Sequence, residues 1–107
     1  MNIYTEDVAL IELLEQGCTN DKRYRNLPME VVKGYVKAYN HLKAAKRIED
    51  LFRIGSLHYE RLKGNLKDFE SVRCNNRWRL IFKSSAIDDS LIITEIELIE
   101  ISNHYGD

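Results

Sequence analysis

Apolar residues recur at helical spacing through the first half of the chain. In the second half they fall at every other position or in short unbroken runs. Val8, Leu10, Ile11, Leu13 and Leu14 form one helical stripe. Thr5 is placed to cap it, Glu6 and Asp7 suit its positive end, and Gly17 supplies a stop, so a first helix is expected over about residues 5–17. A polar loop follows. Pro28, tolerated in a first turn where its missing N–H is not needed, opens a second helix. Val31, Val32, Tyr35, Val36, Tyr39 and Leu42 then step by three and four, which carries that amphipathic helix to about residue 45. Ile48, Leu51, Phe52 and Ile54 predict a further short helix closed by Gly55.

Beyond Gly55 the period changes, and residues 57–62, 70–74, 78–83 and 91–101 read as strands. Asn75-Asn76 suits a tight hairpin and residues 85–90 a looser one. The expected fold is α+β: two or three N-terminal helices packed on a four-stranded antiparallel sheet, with residues 1–4 as a candidate fifth, edge strand. One domain is expected over residues 1–107, a length suited to one core. A strict two-residue turn at Asn75-Asn76 would set Arg73 opposite Trp78 and Arg79 opposite Val72, mixing both faces. A longer turn or bulge is favoured, with Trp78, Leu80 and Phe82 inward and Arg77, Arg79 and Lys83 outward.

Composition excludes several classes. With 44% hydrophobic and 31% charged residues, one Pro and five Gly, the chain is neither disordered nor fibrous in type. No apolar run approaches the roughly 20 residues of a membrane span, and acids stand near the start where a signal peptide would carry Lys or Arg. A cytoplasmic protein is expected. Cys18 and Cys74 lack CxxC spacing, so both read as reduced structural thiols, and neither a metal nor a cofactor is expected.

Net charge is −1, but that average conceals a split. Residues 1–20 carry four acids and no Lys or Arg, residues 21–79 carry fifteen Lys and Arg against seven acids, and residues 80–107 carry one Lys against six acids. Lys33, Lys37, Lys43, Lys46 and Arg47 suit an ordinary solvated helix face. The strand-borne group Arg61, Lys63, Arg73, Arg77 and Arg79 instead calls for a sheet face that meets water or an anion.

Three spaced motifs sharpen this: Leu62-Lys63-Gly64-Asn65-Leu66-Lys67, Ser71-Val72-Arg73-Cys74-Asn75 and Trp78-Arg79-Leu80-Ile81-Phe82. Together they resemble the RelE/ParE superfamily of bacterial toxins, most closely its HigB-like "killer protein" branch. The resemblance is fullest over residues 56–105. Where that branch ends in Asp-Tyr-His, this chain has Asn103-His104-Tyr105, which keeps an imidazole and a phenol. The resemblance implies a toxin that cleaves mRNA during translation, without metal or cofactor. It also implies restraint by a cognate antitoxin, of helix-turn-helix, HigA-like type, with mRNA and the ribosome as the other partners.

RNA brings its own nucleophile, the 2′-OH, so a metal-free nuclease needs only proton transfer and stabilisation of the phosphorane. On the resemblance, His104 is the main acid/base with Tyr105 assisting or stacking on a base, His58 is a further catalytic candidate, and Arg73 stabilises the transition state. Arg61, Lys63, Lys67, Arg77 and Arg79 would bind RNA. Arg79 has a second reading, as a brace of the sheet through an internal salt bridge, and the alternative for Arg73 is a surface ion pair with Glu95 or Glu97. Trp78 reads as core and His41 as a structural helix residue. Two other functions fit the same fold: a non-catalytic inhibitor of DNA gyrase, as in the ParE branch, and a catalytically decayed antitoxin-binding homologue.

Overall fold

The computed structural model describes residues 2–87 and 91–103. In chain order the elements are β1 (Asn2–Tyr4), α1 (Val8–Gln16), α2 (Met29–Ala44), α3 (Ile48–Phe52), β2 (Glu60–Arg61), β3 (Glu70–Arg73), β4 (Arg79–Ile87) and β5 (Ile92–Ser102). Single 3-10 turns at Gly55–Leu57 and Gly64–Leu66 flank β2. Three helices pack on one five-stranded sheet ordered β1-β5-β4-β3-β2, as expected of the α+β class. The candidate edge strand is present, but it runs parallel to β5, with Asn2 against Glu95 and Tyr4 against Glu97. A parallel pair needs a long crossover, and nearly the whole chain separates these two strands. The remaining pairs are antiparallel.

Local chemistry sets the helix ends. Asp7, rather than Thr5, caps α1: its Oδ1 accepts the Ala9 N–H at 3.0 Å. Thr5 serves a tertiary tie instead, accepting the Asp7 N–H at 3.1 Å and donating to the Leu98 carbonyl at 2.9 Å. The cap is therefore held against β5. Gly17 ends α1 in the left-handed region at φ 76°, and its N–H returns to the Leu13 carbonyl. The short α3 is fixed by Asp50, whose Oδ2 accepts the N–H groups of Lys46 and Arg47 at 3.0 Å each.

Helix α2 buries Val31, Val32, Tyr35, Ala38 and Leu42 against the sheet, and the Tyr35 hydroxyl donates to the Leu10 carbonyl at 2.9 Å, tying α2 to α1. A glycine in mid-helix costs about 1 kcal/mol relative to alanine. At Gly34 the reason is space. A Cβ there would lie 1.8 Å from the Cys74 carbonyl oxygen, so the bare backbone of α2 rests directly on the end of β3.

The core joins Leu10 and Leu13 of α1, Val31, Tyr35 and Leu42 of α2, and Leu51 of α3 to Val72, Leu80, Phe82, Ile96 and Leu98 of the sheet. Central strand β4 is covered on both faces at its start, where Arg79, Leu80, Ile81 and Phe82 are all buried, whereas Lys83 and residues 85–87 are exposed. Arg79 thus faces away from Leu80 and Phe82, as expected, but it is buried there and not turned to solvent. Alternation assigns side chains to a face, but it does not tell whether that face meets water or further protein. Trp78, expected inward, packs half-buried against the core.

Candidate functional site

The β3–β4 hairpin presents the first part of the site. Arg73 pairs with Arg79 and Val72 with Leu80, so the turn is the longer, bulged form. Cys74 N–H and Asn75 N–H both donate to the Trp78 carbonyl, at 2.8 and 3.2 Å. The Asn75 side chain then closes the loop, its Oδ1 accepting the N–H groups of Arg77 at 2.9 Å and Trp78 at 2.8 Å. Asn75 is thus committed to holding the turn.

Because Val72 points into the core, Ser71, Arg73, Arg79 and Ile81 share the other face. Arg79 is buried, and its Nη1 lies 3.3 Å from both the Ser71 hydroxyl and the His58 carbonyl. It therefore joins β3, β4 and the segment before β2. Arg73 stands beside it in a different state: its Nε is buried, and among the described residues it has no hydrogen-bond partner. The alternative of an ion pair with Glu95 or Glu97 does not hold, since those residues sit at the far end of β5, beside Asn2 and Tyr4 of β1.

The expected strand over residues 57–62 is only Glu60–Arg61, and the reason lies at His58, which ends the preceding 3-10 turn in the left-handed region at φ 45° and ψ 51°. For a residue with a Cβ that conformation costs roughly 1–2 kcal/mol. The Arg79 contact to its carbonyl helps to hold it. His58 and Arg73 line one cleft of about 300 Å³, together with Gly34, Lys37, Ala38 and His41 of α2, Ser56 and Leu57, and Cys74, Asn75 and Asn76 of the turn. No carboxylate is among these lining residues. Two cations and two imidazoles therefore face a concave surface that has no carboxylate among its described lining residues, an arrangement that concentrates positive potential. Cys74 is inert here, as burial pushes its thiol up to about 12.

The other sequence candidates divide. Arg77 is exposed in the turn beside the cleft. Arg61 pairs with Glu70 across β2 and β3 and lines a separate cavity of about 460 Å³ with Tyr59 and Lys83. Lys63 and Lys67 are exposed at the two ends of the Gly64–Leu66 turn. The five strand-borne cations thus do not make one face: Arg61 belongs to the opposite side from Arg73, and Lys63 and Arg77 lie outside the strands. His104 and Tyr105 fall outside the described residues. Sequence reading missed Lys37 and His41 as cleft residues. The available signal was the stripe Gly34, Lys37, Ala38, His41, a small and polar helix edge beside the apolar stripe.

Among the described residues, no helix is long and apolar enough to cross a membrane. The sequence model of a family described as the RelE-like toxin of the type II toxin-antitoxin system HigB matches residues 11–97, a stretch that contains the cleft. Toxin HigB-1 of Vibrio cholerae serotype O1 is 37% identical over 70 residues, covering 65% of this chain and 74% of the relative. The YoeB/ParE toxin from Agrobacterium tumefaciens shares the fold, with a TM-score of 0.53 at 19% identity over 98% of this chain and 100% of that one. The hairpin of arginines, the left-handed His58 and the acid-free cleft accordingly sit on a recognised scaffold, and the chain belongs to the HigB-like family of RelE-like toxins of type II toxin-antitoxin systems.

Proposed function

We propose that this toxin is an endoribonuclease that cleaves mRNA on the ribosome and is neutralised by a cognate antitoxin, a helix-turn-helix protein of HigA type. The observation that carries the reading is the cleft in which His58 meets Arg73, whose buried Nε has no hydrogen-bond partner among the described residues, with no carboxylate among the lining residues. A buried guanidinium N–H without an acceptor costs folding energy, and a phosphate oxygen is the acceptor that its fork geometry suits best.

In the proposed reaction a base takes the proton of the 2′-OH, the O2′–P bond forms and the P–O5′ bond breaks. An acid then protonates the departing 5′ oxygen. The products are a 2′,3′-cyclic phosphate and a 5′-hydroxyl. His58 supplies one proton transfer and His104, assisted by Tyr105, the other. Arg73 donates to the non-bridging oxygens as charge grows on them, an effect worth about 3 kcal/mol for a single well-placed donor. Arg79 acts at one remove, through the carbonyl of His58. Lys37 and Arg77 meet flanking phosphates, while Arg61, Lys63 and Lys67 reach RNA beyond the cleft.

Mapping mRNA 5′ ends in a bacterium expressing the chain tests this reading. New ends within translated codons are expected from the wild type, and their loss from Arg73→Ala, His58→Ala and His104→Ala. Cleavage unchanged in all three variants would refute the site, and growth arrest with intact mRNA and DNA damage would replace the reading with gyrase inhibition.

A further inference from the structure

A charged residue, Glu70, occupies a core-facing position of β3. Glu70 alternates with Val72 on the helix side of the sheet, pairs with the buried Phe82 and is itself 5% exposed. A carboxylate there is costly unless it is fully bonded. It accepts the Tyr59 hydroxyl at 2.6 Å, the Ser84 N–H at 2.8 Å, and the Ser84 hydroxyl at 2.7 and 2.9 Å from its two oxygens. An apolar residue of similar size would pack there without that desolvation cost. What Glu70 adds is a short, charge-assisted bond to Tyr59, whose phenol burial and the neighbouring carboxylate keep protonated far above its ordinary range.

Tyr59 follows His58 directly. Its ring is packed edge-on to Phe52 at 4.9 Å between centroids and tilted against Phe82 at 6.3 Å. The strained His58 is therefore tethered from both sides of the sheet: Arg79 holds its carbonyl on one face, and Glu70 holds the next residue on the other. Two fixed points, one at the residue itself and one at its neighbour, restrict where the imidazole enters the cleft. A side chain with its backbone in an unfavourable region keeps that position only when its surroundings over-determine it.

We propose that Glu70, acting through Tyr59, is a positioning residue for His58, a role that rests on the nuclease reading above. Ser84 provides the internal control, because it bonds Glu70 and has no hydrogen bond to Tyr59 or His58 among the described residues.

The experiment is single-turnover cleavage of mRNA on programmed ribosomes by full-length wild type, Tyr59→Phe, Glu70→Gln, Ser84→Ala and His58→Ala, with thermal melting of each. Tyr59→Phe and Glu70→Gln are expected to lower the cleavage rate by about 10- to 100-fold at saturating ribosome, the scale of a misplacement near 1 Å. The concentration for half-maximal rate should change less than about twofold, since no contact to RNA is removed. Ser84→Ala is expected to melt earlier and to cleave at the wild-type rate. Wild-type rates in both Tyr59→Phe and Glu70→Gln, beside an inactive His58→Ala, would overturn the positioning role and leave the nuclease reading intact. Equal rate losses in Ser84→Ala and Tyr59→Phe would also overturn it, as a general loss of structure. A fully active His58→Ala would remove the catalytic assignment of His58 itself, and the positioning role with it.

Discussion

Arg73 and Arg79 stand directly opposite each other across the β3–β4 ladder, one bonded to Ser71 and His58, the other with its buried Nε unpartnered among the described residues. Like charges facing across a sheet destabilise it by a few tenths of a kcal/mol to about 1 kcal/mol. Arg73→Ala is therefore predicted to keep or slightly raise the melting temperature, by up to about 4 °C. Circular dichroism melting checks this, and a fall of similar size would make Arg73 a structural residue.

Arg79 should behave in the opposite way. Truncating it leaves the Ser71 hydroxyl and the His58 carbonyl without their shared donor in a buried setting. Arg79→Met is predicted to lower the unfolding free energy by about 1–3 kcal/mol, read from the urea midpoint. Arg79→Lys should restore little of it, because one ammonium on a flexible stem does not reproduce the planar fork.

Gly34 fixes the approach of α2 to the hairpin. Since a Cβ would meet the Cys74 carbonyl at 1.8 Å, backbone must move to admit even alanine. Gly34→Ala should cost about 3 kcal/mol in spite of alanine's better helix propensity. The same chemical denaturation measures it, and a stabilised variant would contradict the close packing.

The two cysteines are free and differently placed, Cys18 exposed and Cys74 half-buried. Native protein treated with iodoacetamide at pH 8 is predicted to take one adduct, at Cys18, with Cys74 reacting only after unfolding. Burial raises the folded Cys74 thiol from its ordinary 9.0 to about 12. A raised folded value means that the stabilisation is complete below pH 9 and is lost as pH climbs toward 12, when the unfolded thiol ionises and the folded one does not. Tyr24, Tyr35 and Tyr59, each raised above 10.0 chiefly by burial, act in the same direction. Stability should thus fall above about pH 9, by up to about 1.4 kcal/mol per pH unit for each ionising group.

Much of this was legible in the residues themselves. Gly17 marked the end of α1, Pro28 the start of α2, and the switch of period after Gly55 separated helices from sheet. Along β4 alternation assigned the faces, with Leu80 and Phe82 in the core and Arg79 on the other side. It did not show that protein covers that side too at residues 79–82, so Arg79 is a buried brace and not a solvent-facing cation. Thr5 seemed a cap because hydroxyl chemistry does not distinguish capping from a tie to Leu98 across the fold. Lys37, His41 and the Glu70–Tyr59 bond depend on how α2 and β2 meet the hairpin. Such tertiary placements leave no local period to read.

Under the proposed function, Arg73 is held ready for the phosphate of mRNA. Single-turnover cleavage on programmed ribosomes, comparing wild type with Arg73→Ala, tests it most directly. A loss of about 100-fold or more in rate is predicted for a variant that folds as well as the wild type. An undiminished rate in Arg73→Ala would contradict it.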